Sequence, residues 1–219
     1  MSSSDIYSAL NPSAFFMMQR RQRLIREALA RFAERSGKRL SETTILEIGC
    51  GKGQWLPEFQ MFGFRTENYA GIDIVRKDVE DAEKRFPKAD FKPGDAAELP
   101  WKDKSFDIVF QSTVFTSILD PETKRKAAAE MKRVCAEDGM ILWYDFAFDN
   151  PKNPDVKGVG KREIRALFEP WECRFRRVTL APPIARRVVP LSWSLAEALE
   201  TLCPPLRTHL LVETTPPEK

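Results

Sequence analysis

The chain has 219 residues, of which 42% are hydrophobic, and this is enough apolar material for the core of an α/β domain. Its net charge of +3 is too small to favour nucleic acid as a partner. No apolar stretch follows the polar start of the chain, and none reaches the roughly 20 residues of a membrane-spanning helix. These features favour neither a secretory leader nor a membrane-spanning segment.

The cysteines and the histidine indicate neither a disulfide framework nor a metal site. The four cysteines are far apart, form no CxxC pair and are accompanied by a single histidine. We therefore predict reduced thiols, no bound metal and a cytoplasmic protein.

Residues 1–36 form an N-terminal segment in which a loose start, residues 1–13, precedes a basic helix. Apolar residues recur at helical spacing in Gln19–Arg35, which predicts an amphipathic helix packed on the domain. Phe15–Met18, just before this helix, is predicted to be a lid that closes over a ligand.

The most informative stretch is Thr44–Gln54. A short apolar run that carries one acid, Glu47, ends in Gly49, Gly51 and Gly53. This pattern predicts a buried parallel strand, a tight turn and the start of a helix. Glycine lets the backbone turn sharply and approach a ligand closely, and the N-terminus of the helix attracts anionic groups. The stretch therefore predicts a nucleotide site.

Predicted strands and helices then alternate along the chain. This alternation is typical of a doubly wound α/β fold, in which helices cover both faces of a mostly parallel sheet. Ligands of such sheets bind beyond the carboxyl ends of the strands, so residues that follow the strands should lie along one edge. We predict strands at Asn68–Ile74, Asp90–Asp95, Phe106–Gln111 and Met140–Asp145, and helices at Val75–Phe86 and Asp120–Ala136.

Residues 146–219 are predicted to supply elements on the substrate side. Residues 146–160 are predicted to be a long loop, and Pro182–Leu191 a second loop rich in proline and arginine. Neither repeats nor a linker are visible, so residues 1–219 are predicted to form a single domain. The remaining predicted elements are helices at Lys161–Leu167 and Ser192–Leu202 and strands at Cys173–Leu180 and Arg207–Thr214.

Two acids follow predicted strands at positions suited to a nucleoside. Asp73 stands about twenty residues after the glycine turn, a spacing typical of a carboxylate that accepts both hydroxyls of a ribose. Asp95 could accept a hydrogen bond from an exocyclic amine. The ligand could be a dinucleotide or an S-adenosyl compound. The turn lacks the second half of the dinucleotide pattern, and Glu47 would repel a pyrophosphate but could hold an ammonium group.

Four motifs resemble, in order and spacing, those of class I S-adenosylmethionine-dependent methyltransferases of the small-molecule type. They are Ile45–Gln54 (ILEIGCGKGQ), Gly71–Ile74 (GIDI), Gly94–Trp101 (GDAAELPW) and Phe106–Gln111 (FDIVFQ). The resemblance covers residues 40–145, the predicted cofactor-binding core. It implies a Rossmann-like, seven-stranded sheet whose last strand is antiparallel, and the two C-terminal strands fit strands six and seven.

The same resemblance implies roles for individual residues toward S-adenosyl-L-methionine, with S-adenosyl-L-homocysteine as the product. The backbones of Gly49, Cys50 and Gly51 should approach the cofactor. Glu47 should orient its amino group, and Asp73 should bind its ribose. Three further residues are implied at the adenine: Ile74 packs on it, Asp95 contacts its amine and Ala96 supplies a backbone N–H. Gln111 and Ser112 are implied at the methionine end.

Two residues are candidates for a catalytic base, which a hydroxyl acceptor would require. Asp145 ends the predicted fifth strand, although an acid that only caps the loop fits the sequence equally well. His209 is the second candidate, and the alternative is a structural histidine.

Four stretches outside the motifs are predicted to form the acceptor pocket. The last of these stretches mixes two arginines with apolar residues and a tryptophan, a mixture that suits an anionic or lipid-linked acceptor at the inner face of a membrane. Trp143–Phe146 and Asn150–Pro154 also resemble, more weakly, bacterial methyltransferases of glycan or glycolipid biosynthesis. The four stretches are Phe15–Met18, Thr113–Ser117, Tyr144–Asn153 and Pro182–Trp193.

We therefore predict a monomeric or homodimeric enzyme that methylates a small-molecule or lipid-linked glycan acceptor at a hydroxyl oxygen. Two alternatives stay open. An RNA methyltransferase would bind through the basic N-terminal helix and the C-terminal arginines, although Gln111–Val114 replaces the Asn-Pro-Pro-Tyr-like segment typical of base-methylating enzymes. The other alternative is a non-catalytic partner that keeps the methyltransferase fold.

Overall fold

The computed structural model describes residues 8–150 and 153–217. In this part of the chain seven strands form one sheet, and the last strand runs antiparallel to both of its neighbours while the other neighbouring pairs are parallel. The strands are β1 (Ile45–Ile48), β2 (Tyr69–Asp73), β3 (Asp90–Pro93), β4 (Phe106–Ser112), β5 (Cys135–Phe146), β6 (Glu172–Leu180) and β7 (Arg207–Thr215). Their order in the sheet is β3-β2-β1-β4-β5-β7-β6. The predicted α/β fold is confirmed, including the antiparallel last strand.

Helices cover both faces of the sheet. They are α1 (Pro12–Ser36), α2 (Leu56–Met61), α3 (Arg76–Arg85), α4 (Pro121–Val134), α5 (Lys161–Phe168), α6 (Pro182–Val188) and α7 (Trp193–Leu202). Among the helices of the described residues, none has the length and apolar character needed to cross a membrane.

Two apolar cores lie against the two faces of the sheet. On one face, here called the α1 face, α1, α2 and α3 contribute residues such as Leu29, Phe59 and Val79. On the other, the α4 face, α4 and α5 contribute Met131 and Phe168. All four residues of β1 are buried, as expected for a central parallel strand that helices cover on both sides.

Helix α1 begins at Pro12, seven residues before the predicted start, so residues 12 and 13 are helical rather than loose. The side chain of Asn11 caps the helix by accepting hydrogen bonds from the backbone N–H groups of Ser13 and Ala14, at 3.0 and 3.3 Å. Proline suits the first helical position because the N–H group it lacks would have no partner there. The rest of the predicted loose start, residues 1–7, lies outside the described residues.

Two other predicted boundaries are also wrong. The first part of the predicted Pro182–Leu191 loop is helix α6, because two prolines at the start of a helix do not interrupt its hydrogen bonds. Strand β5 begins at Cys135 rather than Met140, because α4 ends at Val134 and the chain enters the sheet without a loop.

Helix α1 crosses the sheet so that its start lies at the carboxyl ends of the parallel strands, here called the carboxyl edge. Near the end of α1, Arg35 donates to the backbone oxygens of Asp138 and Gly139 in the first half of β5, at 3.2 and 2.9 Å. Near its start, Phe16 packs with Leu180, the last residue of β6. The N-terminal segment and the residues that follow β1, β2 and β4 therefore lie at the same edge.

Candidate cofactor site and its surroundings

The glycine turn leaves β1 at the carboxyl edge with its backbone open on one side. Gly49, Gly51 and Gly53 have positive φ angles of 70°, 48° and 69°, a region that other residues rarely adopt. A Cβ at Gly49 would lie 2.3 Å from Cγ2 of Val114, whereas one at Gly51 would meet no atom within 4 Å. The turn is thus held tightly against the loop after β4 and leaves space for a ligand beside Gly51.

Asp73 joins the end of β2 to this turn. Its Oδ2 accepts a hydrogen bond from the backbone N–H of Gly51 at 2.8 Å, and its Oδ1 accepts one from Val75 at 2.9 Å. Each oxygen of a carboxylate can accept a further hydrogen bond, so Asp73 can still receive the hydroxyls of a ribose. The sequence spacing identified the residue but not its part in shaping the turn.

Glu47 is a buried acid on the α1 face of β1. Its carboxyl accepts a hydrogen bond from the hydroxyl of Tyr69. Burial raises the pKa of Glu47 well above its usual range, and the hydrogen bond from Tyr69 offsets only part of that effect. A cationic ammonium group beside this carboxyl would favour its ionised form. The residue fits a ligand that carries an amino group.

The predicted adenine-binding residues lie next to Asp73. Asp73 pairs with Pro93 in the sheet, and the backbone N–H of Gly94 donates to the Asp73 carbonyl at 2.9 Å. Ile74 and Asp95 are exposed, and Ala96 is half-buried. These positions leave their side chains accessible to a ligand at the edge.

Gln111 and Ser112 end β4 beside the turn. Gln111 is fully buried, and its Oε1 accepts a hydrogen bond from the backbone N–H of Val114 at 3.1 Å. Thr113, which precedes Val114 in this loop, has a φ of 59° and donates its backbone N–H to the carbonyl of Tyr144 at 2.9 Å. Gln111 therefore shapes the loop that packs on Gly49. A contact of Gln111 and Ser112 with the methionine end stays a prediction.

The thiol of Cys50, within the turn, is buried. Burial raises its pKa above the ordinary value, and the negative charges of Glu47 and Asp73 act in the same direction. A thiol that resists ionisation is a poor nucleophile. Cys50 is therefore better explained as a small residue that fits the turn than as a reactive group.

Asp145 lies on the α4 face, fully buried under the loop after β4. Its oxygens accept hydrogen bonds from the backbone N–H and the hydroxyl of Thr116, at 3.2 and 2.9 Å, and from the backbone N–H of Phe146 at 2.8 Å. Burial raises the pKa of Asp145 from 3.8 to about 6, although these hydrogen bonds act in the opposite direction. These are the contacts expected of an acid that caps a loop.

His209 lies on the α1 face, so the sheet separates it from Asp145. Its ring stacks on Tyr144 with the centroids 4.9 Å apart, and the ring of Phe146 is 3.9 Å away. Burial, together with the positive charge of Arg21, lowers the pKa of His209 from 6.5 to about 3. The two candidate bases therefore face different surroundings and do not form a pair.

A cation that the sequence did not single out also lies on the α1 face. The guanidinium of Arg21 in α1 lies 4.1 Å from the ring centroid of Trp55, and its Nη2 is 3.1 Å from Oε1 of Glu58. The same group lies 5.7 Å from the ring centroid of Tyr144. Among the described residues, its buried Nε has no hydrogen-bond partner. In the sequence this arginine looks like the other cations of a basic helix.

No metal centre is visible in the part of the chain that the structure describes. Within residues 8–150 and 153–217, no three His, Cys, Asp or Glu side chains are placed to hold an ion.

The comparisons with known proteins agree with this geometry. A family model described as a methyltransferase domain matches residues 46–143. Phthiotriol/phenolphthiotriol dimycocerosates methyltransferase 1 of Mycobacterium ulcerans is 33% identical over 147 residues, which cover 63% of this chain and 51% of that protein. The 27-O-demethylrifamycin SV methyltransferase of Amycolatopsis mediterranei is 29% identical over 157 residues, which cover 66% and 56%. The chain spans about half the length of the curated relatives it matches.

Solved structures show the same fold. A SAM-dependent methyltransferase from Methanosarcina mazei superposes with a TM-score of 0.60, covering 84% of this chain and 97% of that one at 18% identity. Over residues 46–143 the chain is therefore similar to a methyltransferase domain, in agreement with the four sequence motifs. The relatives and the solved structure support S-adenosyl-L-methionine as the ligand of the carboxyl edge.

Proposed function

We propose that this protein transfers a methyl group from S-adenosyl-L-methionine to a hydroxyl oxygen of a small-molecule or lipid-linked acceptor, such as a sugar or glycolipid. The observation that carries the proposal is the glycine turn, which is open beside Gly51 and is held by Asp73. The buried Glu47 beside this turn adds a group suited to an ammonium.

In this proposal each part of the cofactor has a matching group in the chain. Gly49, Cys50 and Gly51 offer backbone atoms, Asp73 accepts the ribose hydroxyls and Glu47 takes the amino group. We add Arg21 as the group that receives the carboxylate of the methionine, because its Nε lacks a partner among the described residues. At the adenine we place Ile74, Asp95 and Ala96, and at the methionine end Gln111 and Ser112.

The bound cofactor supplies an electrophilic methyl group on a positively charged sulfur. The tasks of the protein are to align the acceptor oxygen with that methyl group and to keep water out. A hydroxyl acceptor must also lose its proton. Asp145 and His209 stay the two candidates for this base. His209, with its pKa lowered to about 3, takes up a proton poorly. Asp145 is fully buried under the loop after β4, and its loop-capping role is the alternative.

The acceptor pocket remains part of the proposal. Its predicted stretches are Phe15–Met18, Thr113–Ser117, Tyr144–Asn153 and Pro182–Trp193, of which Pro151 and Lys152 lie outside the described residues. The names of the curated relatives include acceptors that are lipids and antibiotics, which supports a small-molecule or lipid-linked acceptor. A cytoplasmic location, with contact at the inner face of a membrane, belongs to the same proposal.

Incubation of the protein with cell extracts and methyl-labelled cofactor tests the proposal, with the products read by mass spectrometry. We expect label in a small molecule or lipid and loss of that label with Asp73→Ala. Glu83→Gln, which changes an exposed acid of α3, serves as the control and should keep the activity. Label in RNA would overturn the proposal in favour of a nucleic-acid methyltransferase. Cofactor binding without a labelled product from any class of acceptor would indicate a non-catalytic partner.

A further inference from the structure

Two segments that are distant in sequence pack together at the carboxyl edge and form a cap. The cap consists of residues 8–22, at the start of α1, and residues 181–195, which contain α6 and the start of α7. The hydroxyl of Ser13 donates to the carbonyl of Ala185 at 3.2 Å. The ring centroids of Phe15 and Phe16 lie 6.2 and 5.1 Å from that of Trp193.

The cap exposes large apolar side chains although its interior is well packed. Leu10, Phe15, Leu191 and Leu195 are between 37% and 94% exposed. Phe16 beneath them is fully buried with Ala185 and other apolar residues. Single exposed leucines are ordinary on a protein surface. Several exposed apolar side chains on two segments that pack together indicate an interaction surface.

The cap contains basic residues and no acids of its own. Residues 8–22 and 181–195 include four arginines and no aspartate or glutamate. Two of these arginines, Arg20 and Arg21, pair with Glu200 and Glu58, which lie outside the cap. Arg186 and Arg187 are exposed and have no ion pair with any residue that the structure describes. A surface of this kind is complementary to an anionic partner.

Exposed leucines beside Arg186 and Arg187 match the surface of an anionic bilayer. The apolar side chains enter the boundary between headgroups and acyl chains, while the arginines contact the headgroup phosphates. We propose that the cap docks the protein on a bilayer that contains anionic phospholipids. Because the cap lies at the carboxyl edge, docking places the proposed acceptor site next to the membrane. This last link rests on the proposed function, which includes contact with a membrane, whereas the binding of vesicles is measured without cofactor or acceptor.

Co-sedimentation of the full chain with lipid vesicles tests the proposal. We expect binding to vesicles that mix phosphatidylglycerol with phosphatidylcholine, little binding to phosphatidylcholine alone, and weaker binding at high salt. Arg186→Gln combined with Arg187→Gln should weaken binding about 30-fold. Leu191→Ser combined with Leu195→Ser should weaken it about tenfold. The control, Lys88→Gln combined with Arg162→Gln, removes the same charge elsewhere on the exposed surface and should change binding no more than about twofold.

Several results would overturn the proposal. They are an absence of binding, equal binding to the two kinds of vesicle, and an equal loss of binding in the control. A concentration-dependent dimer that Leu191→Ser with Leu195→Ser abolishes would instead assign the cap to a second copy of the chain. Calorimetry with the cofactor on the same variants is a separate measurement, so a failure of docking and a failure of the proposed function give different results.

Discussion

The buried imidazole of His209 should make the stability of the protein depend on pH in a way that one substitution removes. The ring packs between Tyr144 and Phe146, and burial together with the charge of Arg21 lowers its pKa from 6.5 to about 3. His209→Phe keeps an aromatic ring in this stack and removes the group that takes up the proton. The variant also lacks the 3.1 Å hydrogen bond between Nδ1 and the hydroxyl of Thr208, and it lacks this bond at every pH.

The sign of the effect follows from the direction of the pKa shift. The unfolded chain takes up a proton near pH 6.5, whereas the folded chain does so only near pH 3. The stability that His209 contributes is therefore present above pH 6.5 and is lost as the pH falls toward 3. Each pKa unit corresponds to about 1.4 kcal/mol, so acidification from pH 6.5 to about 4 removes about 3 kcal/mol.

Two assays check this prediction. His209 is the single histidine of the chain, so its ring protons give one set of NMR signals that can be followed during an acid titration. We expect these signals to stay unchanged down to about pH 5. In urea unfolding, the wild type should lose about 3 kcal/mol more than His209→Phe between pH 7 and about pH 4. A measured pKa above about 5, or parallel losses in the two proteins, would refute the reasoning.

Three further substitutions test other parts of the site. Asp145→Asn removes a carboxyl whose pKa burial raises from 3.8 to about 6. Because the folded wild type holds this proton more tightly than the unfolded chain does, its free energy of unfolding in urea should fall by about 2–3 kcal/mol between pH 4 and pH 7. The variant should not show this fall. Gly49→Ala should cost about 1–3 kcal/mol in thermal unfolding, because its Cβ would lie 2.3 Å from Val114. Tyr69→Phe should cost about 1–3 kcal/mol in urea, because Glu47 loses a buried hydrogen-bond donor.

Each of these predictions has a result that contradicts it. For Asp145→Asn it is a difference from the wild type that stays constant with pH. For Gly49→Ala it is a loss no larger than that of Gly37→Ala, a matched control that has a φ of 68° and whose Cβ would meet no atom within 4 Å. For Tyr69→Phe it is a stability equal to that of the wild type, which would mean that Glu47 finds another donor.

The core of the fold could be predicted because its signals are local. Short apolar runs that end in glycine or an acid mark β1 and β2, and their spacing places Asp73 beside the turn. The wrong boundaries arose where local signals were ambiguous. Proline was taken as a loop signal at Pro182, although the first turn of a helix accepts it. The first part of β5 contains Glu137, Asp138 and Gly139, a sequence that resembles a turn, so the strand was predicted to begin only at Met140.

The surroundings of the site could not be predicted, because they depend on contacts between distant segments. Arg21 meets Trp55 and Glu58 only after α1 has packed across the sheet. The separation of Asp145 from His209 depends on which face of the sheet each side chain occupies, and this in turn depends on strand register. Neither the periodicity of a single segment nor its motifs contain this information.

The proposed function requires that the glycine turn and Asp73 together bind the adenosyl part of the cofactor. Calorimetric titration with S-adenosyl-L-methionine of the wild type, Asp73→Asn and the control Glu83→Gln tests this most directly. Loss of charge-assisted hydrogen bonds to the ribose should weaken binding about 10- to 100-fold in Asp73→Asn and leave the control unchanged. Equal affinity of Asp73→Asn and the wild type, or no binding by the wild type, would contradict the account.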